Sequence, residues 1–210
     1  MNENQLREHI AALGKSLYDR GLAHGSAGNI SVKLADGWLM TPTNSCMGRL
    51  DPARISRLDA DGKLVSGDKP SKETFLHIAM YEERDSCGAV VHLHSVHSVA
   101  VSCMDGLDPA NVFPPITAYA IMQVGRLALV PYHPPGDESL AEAVRKVAGA
   151  HHAVLLANHG PVVAGSSLDA AVNAIEDLEQ TAKLMLLLQG HPTRYLSVEQ
   201  VTELNRRFAS

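Results

Sequence analysis

The chain has 210 residues, enough for one large domain or two small ones. Hydrophobic residues make up 45% and charged residues 20%, average globular values that exclude a disordered or fibrous chain. The 18 basic and 23 acidic residues give a net charge of −5, which excludes a generally basic nucleic-acid binder. An aromatic content of 4% leaves little for base stacking.

Cys46, Cys87 and Cys103 are odd in number and form no Cys-x-x-Cys pair, against both a disulfide scaffold and a thiolate zinc site. They read as buried small hydrophobes in a reducing compartment. No apolar run reaches the roughly 18 residues of a membrane span. Glu3, Arg7 and Glu8 precede any apolar stretch, unlike a signal peptide. The expectation is a cytoplasmic protein with no membrane or nucleic-acid partner. No repeat or Ser/Gly linker divides the chain, so residues 1–210 read as a single domain.

Leu6, Ile10, Leu13 and Leu17 form one helical stripe that ends at Gly21. A small flexible loop, 25–29, follows. Asp36-Gly37 between Ile30–Leu34 and Trp38–Thr41 is a hairpin signal, and Asp61-Gly62 is a second. Residues 71–84 read as a helix, 88–94 as a buried strand and 95–104 as a helix. A Pro-rich stretch, 105–136, holds a short strand at 127–130. Then come a helix at 138–148, strands at 153–157 and 161–164, and a long helix over 167–189. Ser197-Val198-Glu199-Gln200 is a capping box that opens a last helix. Strands and helices intermix while the early strands come as hairpins, which predicts α/β layers around a mixed or mainly antiparallel sheet.

His92-Leu93-His94 is the sharpest chemical signal. Side chains at i and i+2 of a strand share a face, so both imidazoles point one way, and neutral imidazole suits zinc and similar ions. The alternative is two separately hydrogen-bonded histidines. His159 follows the apolar strand 153–157 and sits at a strand end, where functional groups of open α/β sheets collect. Three histidines match a catalytic zinc site with an open position. As alternatives, His159 is a turn residue before Gly160, and His97 competes as a ligand unless its segment is helical. Glu73, in the first turn of a helix, is either a helix-dipole partner or a metal ligand and general base.

Gly28-Asn29, Thr41-Pro42-Thr43-Asn44 and Ser71-Lys72 are small polar elements that together could cradle a phosphate, although each alone is a turn or a cap. No Gly-x-x-x-x-Gly-Lys-Ser/Thr loop occurs. His9, His24, His77, His133, His151, His152 and His191 read as surface or helix positions.

In order, Gly28-Asn29-Ile30-Ser31, Thr41-Pro42-Thr43-Asn44, Ser71-Lys72-Glu73, His92-Leu93-His94 and Asn158-His159-Gly160 make the chain resemble the class II aldolase/adducin-head family, of the L-fuculose-phosphate aldolase type. The resemblance spans roughly residues 5–190. It implies a three-layer αβα fold with a central, mainly antiparallel sheet, and a homotetramer with sites at subunit boundaries. It implies one divalent metal per subunit, most often Zn2+, on His92, His94 and His159, with Glu73 as acid/base and resting ligand. Gly28, Asn29, Thr43, Asn44, Ser71 and Lys72 take the phosphate positions. Tyr119 matches the family tyrosine that reaches a neighbouring subunit's site. Two positions depart from the aldolase pattern of Ser-Ser-Glu and Thr-Pro-Ser/Thr-Gly: Lys72 replaces the second serine and Asn44 replaces the glycine.

The strings at 43–50, 69–75 and 133–137 resemble the 3-oxo-tetronate 4-phosphate decarboxylase branch. That implies a phosphorylated sugar acid as substrate and loss of CO2 through an enediolate to dihydroxyacetone phosphate. The competing expectations are a sugar-phosphate aldolase or ribulose-phosphate 4-epimerase, and a metal-free scaffold like the adducin head.

Overall fold

The computed structural model describes residues 1–134 and 136–208. Among the described residues, eight strands form one sheet in the order β4-β3-β2-β1-β5-β8-β7-β6. They are β1 Asn29–Leu34, β2 Gly37–Met40, β3 Ser56–Leu58, β4 Leu64–Ser66, β5 Ala89–His92, β6 Leu127–Val130, β7 Ala153–Leu156 and β8 Gly160–Gly165. Every neighbouring pair is antiparallel except β6–β7, so the sheet is mixed but mainly antiparallel. The helices are α1 Glu3–Asp19, α2 Thr74–Glu83, α3 Val96–Ser102, α4 Glu138–Ala148, α5 Leu168–Leu188 and α6 Val198–Phe208. No helix among the described residues is long and apolar enough to cross a membrane.

Strand alternation sorts the core into two apolar layers. Ile30, Val32, Ala89, Val91, Leu93, Ala153, Leu155 and Val163 pack on one face with residues of α1, α3 and α5. Val90, Val130, Val154, Leu156, Val162 and Ala164 pack on the other with α2 and α4. The expected αβα layering follows. α4 shows why such helices form. Asp137 caps it by accepting from Ser139 N–H at 2.9 Å, and Leu140, Ala141, Val144 and Ala148 make one buried stripe.

Several boundaries differ from the sequence reading. The first hairpin turns on Ala35-Asp36, because Leu34 pairs with Gly37 and so draws Gly37 into β2. α2 begins at Thr74, three residues after the predicted start, because Ser71–Glu73 form a side-chain-stabilised turn. Ser71 Oγ accepts from Glu73 N–H at 3.2 Å and Ser71 O from Thr74 Oγ1 at 2.7 Å. β5 stops at His92, so His94 lies just beyond the strand. A π-helical turn at Ala120–Val124 interrupts the Pro-rich stretch; local sequence carried no signal for it.

The expectation of buried cysteines holds only in part. Cys87 is buried, whereas Cys46 is half-buried and Cys103 is exposed after α3. Among the remaining histidines, His77 is 1% exposed, because α2 turns it against β1 rather than to solvent.

Candidate metal centre and phosphate cradle

The pairing of β1 with β5 sets Asn29 opposite His92, on the face covered by α2. The β7–β8 hairpin closes Leu156 on Gly160, which puts His159 in its tip beside the end of β5. Asn158 supplies the left-handed residue of that tip, at φ 55, a conformation Asn tolerates better than most side chains. Gly160 is required for a different reason. A Cβ there would lie 2.4 Å from Leu93 O at φ +154, so only glycine lets the hairpin approach the His92–His94 backbone.

The four predicted ligands converge. One donor atom from each of Glu73, His92, His94 and His159 lies within 4.8 Å of every other. His92 Nε2 is 2.9 Å from His94 Nε2 and 3.5 Å from Glu73 Oε2. His159 Nε2 is 3.2 Å from Glu73 Oε1. Two ligand atoms on a tetrahedral zinc stand about 3.4 Å apart, so these separations fit one shared ion. The donor chemistry fits too. Nδ1–H of His92 donates to Pro161 O at 2.8 Å, which leaves the Nε2 lone pair facing the cluster, the usual support for a ligating imidazole.

Electrostatics keep the set ready to bind a cation. Burial pushes His94 down to about 3, helped by His92 and His159, and burial likewise pushes His92 down. Both are therefore neutral at pH 7, as ligation requires. Burial alone would raise Glu73, but His92, His159 and Asn29 outweigh it and hold the carboxyl well below the usual range. Glu73 occupies the residue before α2, with no capping bond of its own. The helix-dipole role expected for it therefore gives way to contacts with the histidines.

The phosphate candidates also come together. Gly28, Asn29, Thr43, Asn44, Ser71, Lys72, Glu73 and His94 line a cavity of about 270 Å³. Thr43 N–H donates to Lys69 O at 2.9 Å and Ser71 N–H to Thr41 O at 3.1 Å, which ties two of the three loops together. Asn44 has φ 56, so it keeps the left-handed backbone that a glycine would take there. Asn29 departs from a plain phosphate role. Its Nδ2 donates to Glu73 Oε2 at 2.7 Å, and its Oδ1 accepts from His77 Nε2 at 2.5 Å.

A second cavity of about 410 Å³ shares Glu73 and His94 and adds His24, Tyr132, His133, Asn158 and His159. Neither His24 nor His133 is expected as a ligand, although His133 belongs to the 133–137 string; the tertiary fold brings both beside the cluster. Pro135, in the 133–137 string, lies outside the described residues. Tyr119 is 63% exposed and lines neither cavity of its own subunit. His97 sits in α3 and bonds Glu179 at 2.7 Å through Nδ1, away from the cluster.

Comparison with known proteins agrees with this arrangement. The family model for the Class II Aldolase and Adducin N-terminal domain matches residues 8–186. The chain is 51% identical, over 96% of each chain, to the 3-oxo-tetronate 4-phosphate decarboxylase of Escherichia coli K12. It is 32% identical to the L-fuculose phosphate aldolase of Haemophilus influenzae, over 99% of this chain and 95% of that one. Among solved structures, YgbL from Klebsiella pneumoniae superposes with a TM-score of 0.95 at 48% identity, covering 97% of this chain and 99% of that one. An L-fuculose 1-phosphate aldolase superposes with a TM-score of 0.88 at 25% identity, covering 98% and 97%. This chain belongs to the class II aldolase and adducin N-terminal domain family.

Proposed function

We propose that the protein is a metal-dependent carboxy-lyase. It converts a 3-oxo-tetronate 4-phosphate to dihydroxyacetone phosphate and CO2, acting as one class II aldolase-like domain over 1–210. The observation that carries this reading is the placement of the Glu73/His92/His94/His159 cluster between two polar cavities. One cavity holds the phosphate loops and the other an imidazole-rich wall. The similarity to decarboxylases at about half of the aligned positions supports the choice of substrate.

The substrate has a phosphate at one end, a carboxylate at the other and a ketone between. The loops at 28–29, 43–44 and 71–72 take the phosphate, with Lys72 adding a positive charge. The carboxylate then points into the second cavity, toward His24 and His133. This fixes the bond to be broken before any chemistry, a positioning effect that can be worth several kcal/mol. A divalent cation on the three histidines, most simply Zn2+, supplies Lewis-acid stabilisation of the charge that the ketone oxygen gains when CO2 leaves.

Loss of CO2 gives an enediolate, whose carbon must take up one proton net from solvent. Glu73 stands beside His92 and His159 where both cavities meet, and it is the group proposed to carry that proton to the carbon. Tyr119, exposed on its own subunit, is proposed to reach a neighbour's site in a homotetramer. Light scattering should then give four times the 22.5 kDa chain mass. A cytoplasmic location is part of the same reading.

Zinc-loaded protein should release one CO2 per dihydroxyacetone phosphate formed from the erythronate- or threonate-derived 3-oxo acid 4-phosphates. Release of an aldehyde from a ketose 1-phosphate without CO2 formation would establish the aldolase instead. A metal stoichiometry near zero, with no activity restored by zinc, would establish the scaffold.

A further inference from the structure

A buried line of polar side chains runs away from Glu73 beneath α2. Asn29 Nδ2 donates to Glu73 Oε2 at 2.7 Å. His77 Nε2 lies 2.5 Å from Asn29 Oδ1, His77 Nδ1 lies 2.7 Å from Ser31 Oγ, and Ser31 Oγ lies 2.8 Å from Tyr81 OH. Asn29, Ser31, His77 and Tyr81 are all 4% exposed or less. The geometry has a simple origin. Glu73, just before α2, and His77 and Tyr81 on it are spaced by four, and Asn29 and Ser31 by two along β1. Four helical residues rise about 6 Å and two strand residues about 6.6 Å, so the two rows interleave tooth by tooth.

The donor directions are determined by chemistry. The amide of Asn29 must present N–H to the carboxylate, so its oxygen accepts, and His77 must carry its proton on Nε2. Nδ1 then accepts from the Ser31 hydroxyl, which in turn accepts from Tyr81 O–H. Every donor in the row points toward Glu73.

We infer that His77 is a positioning residue for the acid/base: through Asn29 it fixes the orientation of the Glu73 carboxylate. The anchored Oε2 holds Oε1 toward His159 and the shared face of the two cavities. An apolar core at this place would pack equally well with far less risk of an unpaired polar atom. Asn29 is thereby committed through its side chain to Glu73 and His77, and it serves the phosphate cavity as a wall. The inference rests on the catalytic reading of Glu73 given above.

The test replaces His77 with Phe and with Gln; Gln keeps an N–H donor near the Nε2 position. Ala79→Gly on the same helix is the stability control. On the decarboxylation substrate, His77→Phe should lower kcat about 10–100-fold, the usual cost of losing such a supporting partner. KM should stay within about twofold, and His77→Gln should recover a large part of the loss. Ala79→Gly should lower the melting temperature and leave kcat in place. A loss of kcat in His77→Phe that Ala79→Gly matches at an equal drop in melting temperature would overturn the inference. So would a loss confined to KM.

A second readout is independent of substrate. In protein labelled with 15N-histidine, His77 should show the Nε2–H tautomer, and Glu73→Gln should move its resonance. An Nδ1–H tautomer, or a resonance indifferent to Glu73→Gln, would overturn the relay even if the substrate proved to be another. The relay signature in a protein that does not decarboxylate would instead sink only the substrate assignment.

Discussion

Glu179 should be worth more to this protein than any exposed ion pair, although it touches no substrate cavity. Its side chain is 9% exposed, and four donors from the start of α3 reach it. They are His97 N–H at 2.9 Å, Ser98 N–H at 2.8 Å, Ser98 Oγ at 2.7 Å and His97 Nδ1 at 2.7 Å. Two of these are backbone N–H groups that the helix cannot satisfy itself, and Ser95, at the N-cap position, makes no side-chain capping bond. Glu179→Ala leaves the two N–H groups and His97 Nδ1 without this partner, while Ser98 Oγ keeps Ser95 O at 3.1 Å. A lost cap alone costs about 1 kcal/mol, and each buried donor left unsatisfied costs about 1–3 kcal/mol, so the loss should be about 3–5 kcal/mol. For a chain of 210 residues, the unfolding entropy is about 0.44 kcal/mol/K, so the melting temperature should fall by roughly 7–11 °C. Glu179→Gln keeps one good acceptor and should fall less. The assay is urea and thermal unfolding of metal-free protein, followed by zinc competition, because α3 starts two residues after His94 and should loosen it. A loss below about 1 kcal/mol in Glu179→Ala would refute the reasoning and reduce Glu179 to an ordinary surface charge.

Removing the ligand imidazole in His94→Ala should lower bound zinc to below about a tenth per chain with far-ultraviolet circular dichroism unchanged; stoichiometric zinc would argue against a shared ion. Gly160→Ala should cost about 2–4 kcal/mol from left-handed strain and overlap with Leu93 O, and should weaken zinc binding; wild-type stability in urea would show the approach to be loose. His133→Ala should raise KM for the 3-oxo acid about 10-fold with a smaller change in kcat; equal KM values would move the carboxylate elsewhere. Burial holds His77 down to about 3, against about 6.5 in the unfolded chain. Unfolded chains therefore take a proton as pH falls below 6.5 while folded ones do not, and stability is lost from 6.5 downward. Metal-free wild type should thus lose about 1.4 kcal/mol per pH unit between pH 6 and 4 beyond the loss seen for His77→Gln. Parallel urea curves for the two proteins would refute it.

Much of this architecture can be read from local chemistry. The stripe at Leu6, Ile10, Leu13 and Leu17 and the cap at Ser197 depend on neighbours within a turn or two, and all appear in the fold. The boundaries that moved are those settled from a distance. Ser71–Glu73 form their own turn ahead of α2, and Ser71 N–H ties that turn to Thr41 O at 3.1 Å, a partner 30 positions earlier in the chain. The π-helical turn at Ala120–Val124 packs against α5 and α6; nothing in its own five residues demands that shape. The metal cluster was legible because histidine is costly to gather without a purpose, so an i, i+2 pair and one more at a strand end stand out. His24 carries no such pattern, and His133 stands out only as part of the 133–137 string; the fold places both on one wall.

His77 marks a subtler limit. Its spacing of four from Glu73 and from Tyr81 was present in the sequence, as was the spacing of two between Asn29 and Ser31. Read one element at a time, each pattern is ordinary: a polar stripe on a helix normally faces water, and a polar strand face normally does too. Only their mutual burial gives them meaning, since the four buried polar groups can leave water together only if each finds its partner. The same logic explains the two departures from the aldolase pattern. Asn44 preserves the left-handed backbone at φ 56, so the cradle keeps its shape. Lys72 changes its charge in a cavity that already holds the carboxylate of Glu73. A substrate with a carboxylate in addition to its phosphate brings more negative charge than a ketose phosphate. Adding a cation on an unaltered backbone is the smallest change that would favour it.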